Sequence, residues 1–224
     1  MRIGIFYRDP AFIPPSQIFC QAEDSREVIR PSPGIINGMG LLTPANTNPP
    51  ASLPSGTVTF LFTDIEGSTK LWEQHPESMR TALEHHDALM REAIGSCGGS
   101  VFKTMGDAFC AVFPAAPGAL AAAIKAQLSL LRESWPDPVS IRVRMALHTG
   151  IAQERDGDYF GPVLNRVARL CAAGHGGQTL VSTSSHDLLL DHLPEEVGLR
   201  DLGAHRFKDL ERAERVYQIT HPEL

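Results

Sequence analysis

Between residues 57 and 150 the sequence alternates strand-like and helix-like segments in the order strand, helix, strand, strand, helix, strand. The first predicted strand is the β-rich run TVTFLFTD, which ends at Asp64. The turn Met105-Gly106-Asp107 separates the second and third strands. The other elements predicted in this region are a helix over 68–97, strands over 100–104 and 108–113, a helix over 117–134 and a strand over 140–150. This order predicts an α+β fold with a ferredoxin-like, split-βαβ core.

Apolar spacing supports the helices and extends the pattern beyond residue 150. The helix over 117–134 places Leu120, Ile124, Leu128 and Leu131 on one stripe, which we expect to be buried. Further along, the predicted elements are a helix over 161–173, a strand over 178–182, a short helix over 184–190 and strands over 197–201 and 215–219. The pattern therefore continues to the end of the chain.

Proline usage sets the first 55 residues apart from the rest. Nine of the 17 prolines fall there, and the segment PANTNPPASLPSG over 44–56 has no periodicity. We interpret residues 1–55 as a mostly disordered tail and a proline-rich linker, and residues 56–224 as the folded domain. An alternative is that translation starts at Met39, which would make the first 38 residues a start-site artefact.

Charge and cysteine usage exclude several classes of protein. The formal net charge of −6 argues against nucleic-acid binding through a broad basic face. The four cysteines lie far apart without a CxxC pair, which argues against a disulfide framework or a structural zinc site. No apolar stretch approaches the roughly 20 residues that span a bilayer. We therefore expect a cytoplasmic protein with neither a nucleic-acid nor a membrane partner.

Two aspartates are expected to meet at one edge of the sheet. Asp64 ends the first strand and Asp107 lies in the hairpin after the second. A right-handed β-α-β crossover makes these two strands parallel, so their carboxyl ends lie at the same edge. Two close carboxylates repel each other unless a cation lies between them. Carboxylate-bridged divalent ions are a common device for displacement at phosphorus.

The residues after Asp64 suit a phosphate group. Gly67, Ser68 and Thr69 lead into a helix whose first backbone N–H groups have no partner within the helix. Gly67 also permits close approach of a ligand to the backbone. Taken alone, such residues more often form an ordinary helix cap, and that alternative stays open.

Three ordered motifs resemble the catalytic domain of class III nucleotidyl cyclases, the adenylate and guanylate cyclases. FLFTDIEGST over 60–69 and FKTMGDAF over 102–109 are similar to the two metal motifs of that family. GDYFGPVLNRVARL over 157–170 is similar to its purine and transition-state motif. The resemblance covers about residues 56–221 and implies the class III cyclase fold.

The resemblance implies a role for each matching residue. Asp64, Asp107 and the Ile65 carbonyl would hold two divalent ions, Mg²⁺ or Mn²⁺, and residues 65–69 would hold phosphates. The remaining matches are Lys103 and Asp158 for the purine, Asn165 for the ribose, Arg169 for the α-phosphate and Lys208 for the terminal phosphates. A lysine donor and a carboxylate acceptor suit the N1 and N6 positions of adenine, whereas guanine has the reverse pattern. The implied substrate is therefore ATP and the product is 3′,5′-cyclic AMP.

The family also implies a head-to-tail homodimer with shared sites. One subunit would supply the aspartates and the phosphate loop, and the other the purine, ribose and α-phosphate residues. This chain carries both sets, although only seven residues separate Gly150 from Asp158, which implies a short hairpin.

The alternatives are a guanylate cyclase and a catalytically silent nucleotide-binding or dimerisation module. A phosphodiesterase-like metal hydrolase is disfavoured because the nine histidines lack metal-ligand spacing.

Overall fold

The computed structural model describes residues 53–208 and 212–224. Residues 1–52, which make up most of the predicted tail and linker and include the alternative start at Met39, lie outside the described residues. In the described part the strands are β1 (Gly56–Ile65), β2 (Ser100–Met105), β3 (Ala108–Phe113), β4 (Val143–Ala152), β5 (Glu154–Arg155), β6 (Asp158–Tyr159), β7 (Thr179–Ser182), β8 (Gly198–His205) and β9 (Glu214–Thr220). The helices are α1 (Ser68–Gln74), α2 (Pro76–Ser96), α3 (Ala116–Arg132), α4 (Pro162–Ala172) and α5 (Thr183–Leu189), followed by a 3₁₀ turn at Leu190–His192.

The strands form a sheet in the order β2-β3-β1-β4-β7-β9-β8, and β5 pairs with β6 in a separate ribbon. The first four strands confirm the ferredoxin-like core, because β1 lies between β3 and β4 and is antiparallel to both. Strand β2 is also antiparallel to β3, so β1 and β2 run in the same direction. Their carboxyl ends therefore lie at the same edge, as the sequence predicts.

Alternation along β1 divides the core between the two faces of the sheet. Leu61 and Ile65 belong to a buried cluster that α2 and α3 cover. Val58 and Phe60 belong to a second cluster on the other face, which α4 and the β5–β6 ribbon cover. Side chains two residues apart on a strand share a face, so both faces of β1 are buried.

Two local predictions are wrong. The helix over 68–97 is broken into α1 and α2, because Pro76 has no N–H group to continue the first helix and instead begins the second. Leu131 is 61% exposed, since the face of α3 that packs on the sheet is formed by Leu120, Gln127, Leu130 and several alanines. The small alanine side chains on this face let α3 approach the sheet closely, and Leu131 lies outside the face.

Two global features complete the description. Among the helices in residues 53–208 and 212–224, none is long and apolar enough to cross a membrane. Cys97, Cys110 and Cys171 are free thiols.

Candidate active site

Asp64 and Asp107 come together at the shared edge of β1 and β2. The Ile65 backbone N–H donates a hydrogen bond of 3.1 Å to Asp107 Oδ2. Asp107 lies in the two-residue turn between β2 and β3, where Gly106 has a φ of 60°. Glycine adopts this φ without steric cost, which suits the first position of such a hairpin turn. The predicted juxtaposition of the end of β1 with the β2–β3 turn is confirmed.

Electrostatics at this edge favours a cation. Burial, and next the negative charge of Asp64, raise the pKa of Asp107 above its ordinary value. Hydrogen bonds from the Ile65 backbone and the Ser68 side chain to Asp107 act in the opposite direction. A positive ion next to both carboxylates would relieve the cost of ionising Asp107.

Arg144 supplies positive charge at this edge, and the sequence analysis missed it. Arg144 lies directly opposite Asp64 in the β1–β4 ladder. Arg144 Nε and Nη2 both donate to Asp64 Oδ2, at 2.8 and 2.5 Å. Opposite charges at directly opposed positions stabilise a strand pair. The predicted fold contains the antiparallel pairing of β1 with β4, but the register that brings these two residues together is seen only in the structure.

The donor atoms fit a hard divalent ion. Within residues 53–208 and 212–224, no cluster of three or more His, Cys, Asp or Glu side chains is arranged to hold a metal. The available protein donors are the two aspartate carboxylates, together with the Ile65 carbonyl that the motif implies. Mg²⁺ prefers oxygen ligands and is commonly held by one or two carboxylates plus water and substrate phosphates. The small protein donor set is therefore compatible with an ion that is completed by a nucleotide.

The segment after β1 forms the expected turn into a short helix. Gly67 precedes α1 with a φ of 70°, a left-handed conformation that glycine accepts readily. No side chain caps the start of α1, so the simple helix-cap interpretation lacks its usual hydrogen bond. Ser68 is half-buried beside Asp107, and Thr69 is exposed. The turn thus places Gly67, Ser68 and Thr69 next to the aspartate edge.

Lys103 and Asp158 form an ion pair in the same subunit. Lys103 Nζ donates to Asp158 Oδ2 at 2.6 Å, and both side chains are partly exposed. A β-bulge between Val101 and Lys103 shifts the register, so that Lys103 is opposite Cys110 while Phe102 packs into the cluster under α4. Bulges commonly re-aim a side chain near functional sites. Here the bulge brings Lys103 to the face of the sheet where Asp158 lies.

Asp158 is carried by a tight hairpin. Asp156 and Gly157 have φ values of 55° and 78°, as the common two-residue Asp-Gly hairpin turn requires. Glu154 Oε1 accepts a 2.6 Å hydrogen bond from the Gly157 N–H, which braces the turn. The Tyr159 N–H donates to Asp158 Oδ1 at 2.7 Å. Both oxygens of Asp158 therefore have donors, which holds the carboxylate in one orientation.

Helix α4 carries Asn165 and Arg169 four residues apart, which places them on one side of the helix. Asn165 is exposed and Arg169 is half-buried. Arg166 is exposed and forms a 2.7 Å ion pair with Glu214. The buried face of α4 is formed by Leu164, Val167, Leu170 and Cys171.

Lys208 is exposed after β8 and next to residues that the structure does not describe, so its predicted role stays a prediction.

The domain combines a ferredoxin-like core, two aspartates at one strand edge, a glycine turn that leads into α1, and a lysine–aspartate pair. Together these features define the nucleotidyl-cyclase class of fold. The family model for the adenylate and guanylate cyclase catalytic domain matches residues 51–220. The chain belongs to this family, as the motifs predict.

Sequence relatives are consistent with this membership. An uncharacterized protein of Mycobacterium tuberculosis is 43% identical over 173 residues, which cover 76% of this chain and 58% of that protein. An adenylate cyclase of Podospora anserina is 38% identical over 155 residues, which cover 58% of this chain and 7% of that protein. The chain thus spans little more than half the length of the mycobacterial relative and a small part of the fungal one.

Solved structures have the same fold. An adenylate cyclase of Trypanosoma brucei, in its monomeric state, superimposes with a TM-score of 0.66 at 28% identity, covering 78% of this chain and 94% of that chain. An adenylate/guanylate cyclase/hydrolase from Silicibacter pomeroyi gives a TM-score of 0.64 at 29% identity, covering 74% and 97%. These similarities confirm the predicted fold class.

Proposed function

We propose that the chain is an adenylate cyclase, which converts ATP to 3′,5′-cyclic AMP and pyrophosphate. The observation that carries this proposal is the ion pair between Lys103 and Asp158, at 2.6 Å. Adenine offers an acceptor at N1 and a donor at its amino group, which match an ammonium and a carboxylate. Guanine has a donor at N1 and an acceptor at O6, so the same pair in the same order would fit it poorly.

The chain's own residues divide the work of the reaction. Lys103 and Asp158 orient the base, Asn165 orients the ribose, and the backbone of residues 65–69 with Lys208 holds the phosphates. The ribose 3′-oxygen forms a bond to the α-phosphorus, the bond from that phosphorus to the bridging oxygen breaks, and pyrophosphate leaves while the hydroxyl proton is released. Arg169 meets the negative charge that grows on the α-phosphate, so it acts most strongly in the transition state.

Asp64, Asp107 and the Ile65 carbonyl would hold two divalent ions, Mg²⁺ or Mn²⁺. When bound, these ions would lower the pKa of the 3′-hydroxyl and neutralise the triphosphate. Arg144 pairs with Asp64 and balances part of the negative charge of this edge. The raised pKa of Asp107 favours the same assignment, because a cation next to this carboxylate would stabilise its ionised form.

A homodimer with shared sites is part of the proposal. Ile151, near the end of β4, is 80% exposed, and Phe160, just after β6, is 47% exposed. Exposed apolar side chains near a functional site are typical of interaction surfaces. A second copy on this surface would bring its aspartate edge to the Lys103–Asp158 pair, and symmetry would create two equivalent sites.

Product formation tests the proposal. Purified protein is incubated with Mn²⁺ and either ATP or GTP, and cyclic nucleotides are identified by mass spectrometry. We expect cyclic AMP from ATP, and none from the Asp107→Ala variant. Cyclic GMP as the main product would favour the guanylate cyclase alternative, and no product from a dimeric protein would favour a silent nucleotide-binding module.

A further inference from the structure

The segment that leads into β1 is fastened to the β5–β6 hairpin. The Tyr159 hydroxyl donates a hydrogen bond of 2.5 Å to the Pro54 carbonyl. On the first strand of the same hairpin, the Glu154 N–H donates a hydrogen bond to Ser55 Oγ at 3.2 Å. Leu53 packs against the same buried cluster that contains the Tyr159 ring. Residues 53–55 therefore hold the hairpin by two hydrogen bonds and one apolar contact.

Tyr159 also contacts Asp158 and Phe102, the residue that precedes Lys103. Its backbone N–H donates to Asp158 Oδ1 at 2.7 Å. Its ring, which is completely buried, meets the Phe102 ring edge-on with a centroid separation of 5.0 Å, and Phe102 is adjacent to Lys103. Edge-to-face contacts of this kind are favourable beyond the area that they bury. One residue thus braces the carboxylate directly and the lysine through its neighbour.

The hydroxyl of Tyr159 is suited to a fixed donor role. Burial, and next the carboxylate of Glu154, raise its pKa to about 12, so the proton stays on the oxygen at neutral pH. The acceptor is a main-chain carbonyl of a proline, whose fixed φ limits the freedom of the segment around it. The contact therefore joins a rigid donor to a restricted acceptor.

We infer that Tyr159 is a positioning residue for base selection, which fixes the Asp158 carboxylate by fastening its hairpin to residues Leu53–Ser55. The inference rests on the proposed function, because it assigns Tyr159 to the selectivity of that same site. Its consequence is that the polypeptide preceding Leu53 joins the domain at the point where the base-selecting pair is held.

The test compares Tyr159→Phe with a matched control, Tyr217→Phe. Tyr159→Phe keeps the ring contacts and removes only the hydrogen bond to Pro54. Tyr217 stacks on His186 and makes no contact with the Lys103–Asp158 pair in the described structure. We expect the ratio of kcat/KM for ATP to that for GTP to fall roughly three- to fivefold in Tyr159→Phe, the size expected for one net hydrogen bond, and to stay unchanged in Tyr217→Phe.

The ratio separates a positioning role from a merely structural one. A lower folded fraction reduces kcat/KM for both nucleotides equally, so an unchanged ratio in folded Tyr159→Phe protein would overturn the inference. If Tyr159→Phe fails to fold, Ser55→Ala is judged by the same criterion. This change removes the hydrogen bond between Ser55 and Glu154, which weakens the attachment of residues 53–55 to the hairpin and leaves the tyrosine intact. If the unmodified chain makes no cyclic nucleotide, the proposed function fails, and the ratio of Kd values for ATP and GTP in the same variants then decides the inference.

Discussion

Lys103 and Asp158 lie 55 positions apart in the sequence, yet a hydrogen bond of 2.6 Å joins their side chains. The β-bulge in β2 turns Lys103 toward this contact, and the Asp-Gly turn of the β5–β6 hairpin brings Asp158 to it. This ion pair and the hydrogen bond from the Tyr159 N–H to Asp158 hold the two groups in one arrangement. Preorganisation of this kind lowers the cost of binding.

Exchanging this pair is expected to change the preferred base. The double variant Lys103→Glu with Asp158→Cys replaces both members of the pair. It replaces a hydrogen-bond donor by an acceptor at residue 103 and removes the carboxylate acceptor at residue 158. We expect kcat/KM for ATP to fall by at least about tenfold, because buried polar groups of the base would be left unpaired. Steady-state rates with ATP and GTP measure the change.

A charge reversal elsewhere controls for general effects. Lys125 lies on α3 and pairs at 3.0 Å with Glu92, at an exposed position. Lys125→Glu should leave the ratio of ATP to GTP rates unchanged, since surface pairs contribute little. Retention of full ATP preference in the double variant would remove Lys103 and Asp158 from base selection.

Asp107→Asn is expected to stabilise the metal-free protein and to abolish activity. Burial and the nearby Asp64 raise the pKa of Asp107, so its charge is unfavourable at pH 7, and asparagine still accepts the Ile65 hydrogen bond. We expect Tm to rise, because the cost of ionising this carboxyl in the folded state is removed. The gain should shrink at acidic pH, where the wild-type carboxyl is protonated.

Metal addition completes this experiment. Mn²⁺ with ATP should raise the Tm of the wild-type protein and leave that of Asp107→Asn unchanged, since ligands stabilise only a state that binds them. Asp191→Asn, a change at an exposed position in the 3₁₀ turn, is the control and should behave as wild type. Equal stabilisation of Asp107→Asn by Mn²⁺ would contradict the assignment of Asp107 as a ligand.

The aspartate edge could be predicted from sequence because it follows from chain direction alone. Strands β1 and β2 are parallel members of one crossover, so residues at their ends meet whatever the side chains are. The core of α3 was harder to place. Apolar spacing selected Leu131, yet the small size of the alanines decided which face approaches the sheet.

The contacts missed from sequence depend on register and on irregular backbone. Arg144 pairs with Asp64 because antiparallel pairing places the two residues opposite each other, which a strand pattern alone does not specify. The Pro54–Tyr159 hydrogen bond joins a segment without regular structure to a hairpin 105 positions away. Neither periodicity nor motif spacing carries information about such a pair.

Arg169→Ala is expected to lower kcat by about 10²-fold with little change in KM, because the charge that Arg169 meets develops in the transition state. Arg166→Ala is the control on the same helix, since Arg166 pairs with Glu214 and has no assigned role in the reaction. Its kcat should stay within about twofold of wild type. An unchanged kcat in Arg169→Ala would exclude the proposed role for this residue.

His148 is expected to make the domain less stable in mild acid. It is 4% exposed, its Nδ1 lies 2.8 Å from Ser182 Oγ, and burial together with the charge of Arg166 lowers its pKa to about 4. In the unfolded chain the imidazole of His148 has its ordinary pKa of 6.5, whereas in the folded chain its pKa is about 4. Stability is therefore complete above pH 6.5 and is lost as the pH falls toward 4.

Urea unfolding at pH 7 and pH 5 measures this effect. Between the two values, the wild type should lose about 2 kcal/mol more than His148→Gln, as the displaced pKa implies. His192→Gln, at an exposed position, should lose as much as the wild type. Equal losses in His148→Gln and the wild type would indicate that His148 is protonated equally in both states.

Mixing two inactive variants tests the shared site. Asp64→Ala damages the half-site that holds metal, and Arg169→Ala damages the half-site on α4. Random exchange of subunits gives half of the dimers as mixed pairs, each with one intact site, so about a quarter of wild-type activity should return. Mixing Asp64→Ala with Asp107→Ala is the matched control, because both changes damage the same half-site and no intact site can form. Absence of recovery in the first mixture, with subunit exchange demonstrated, would contradict a site shared between subunits.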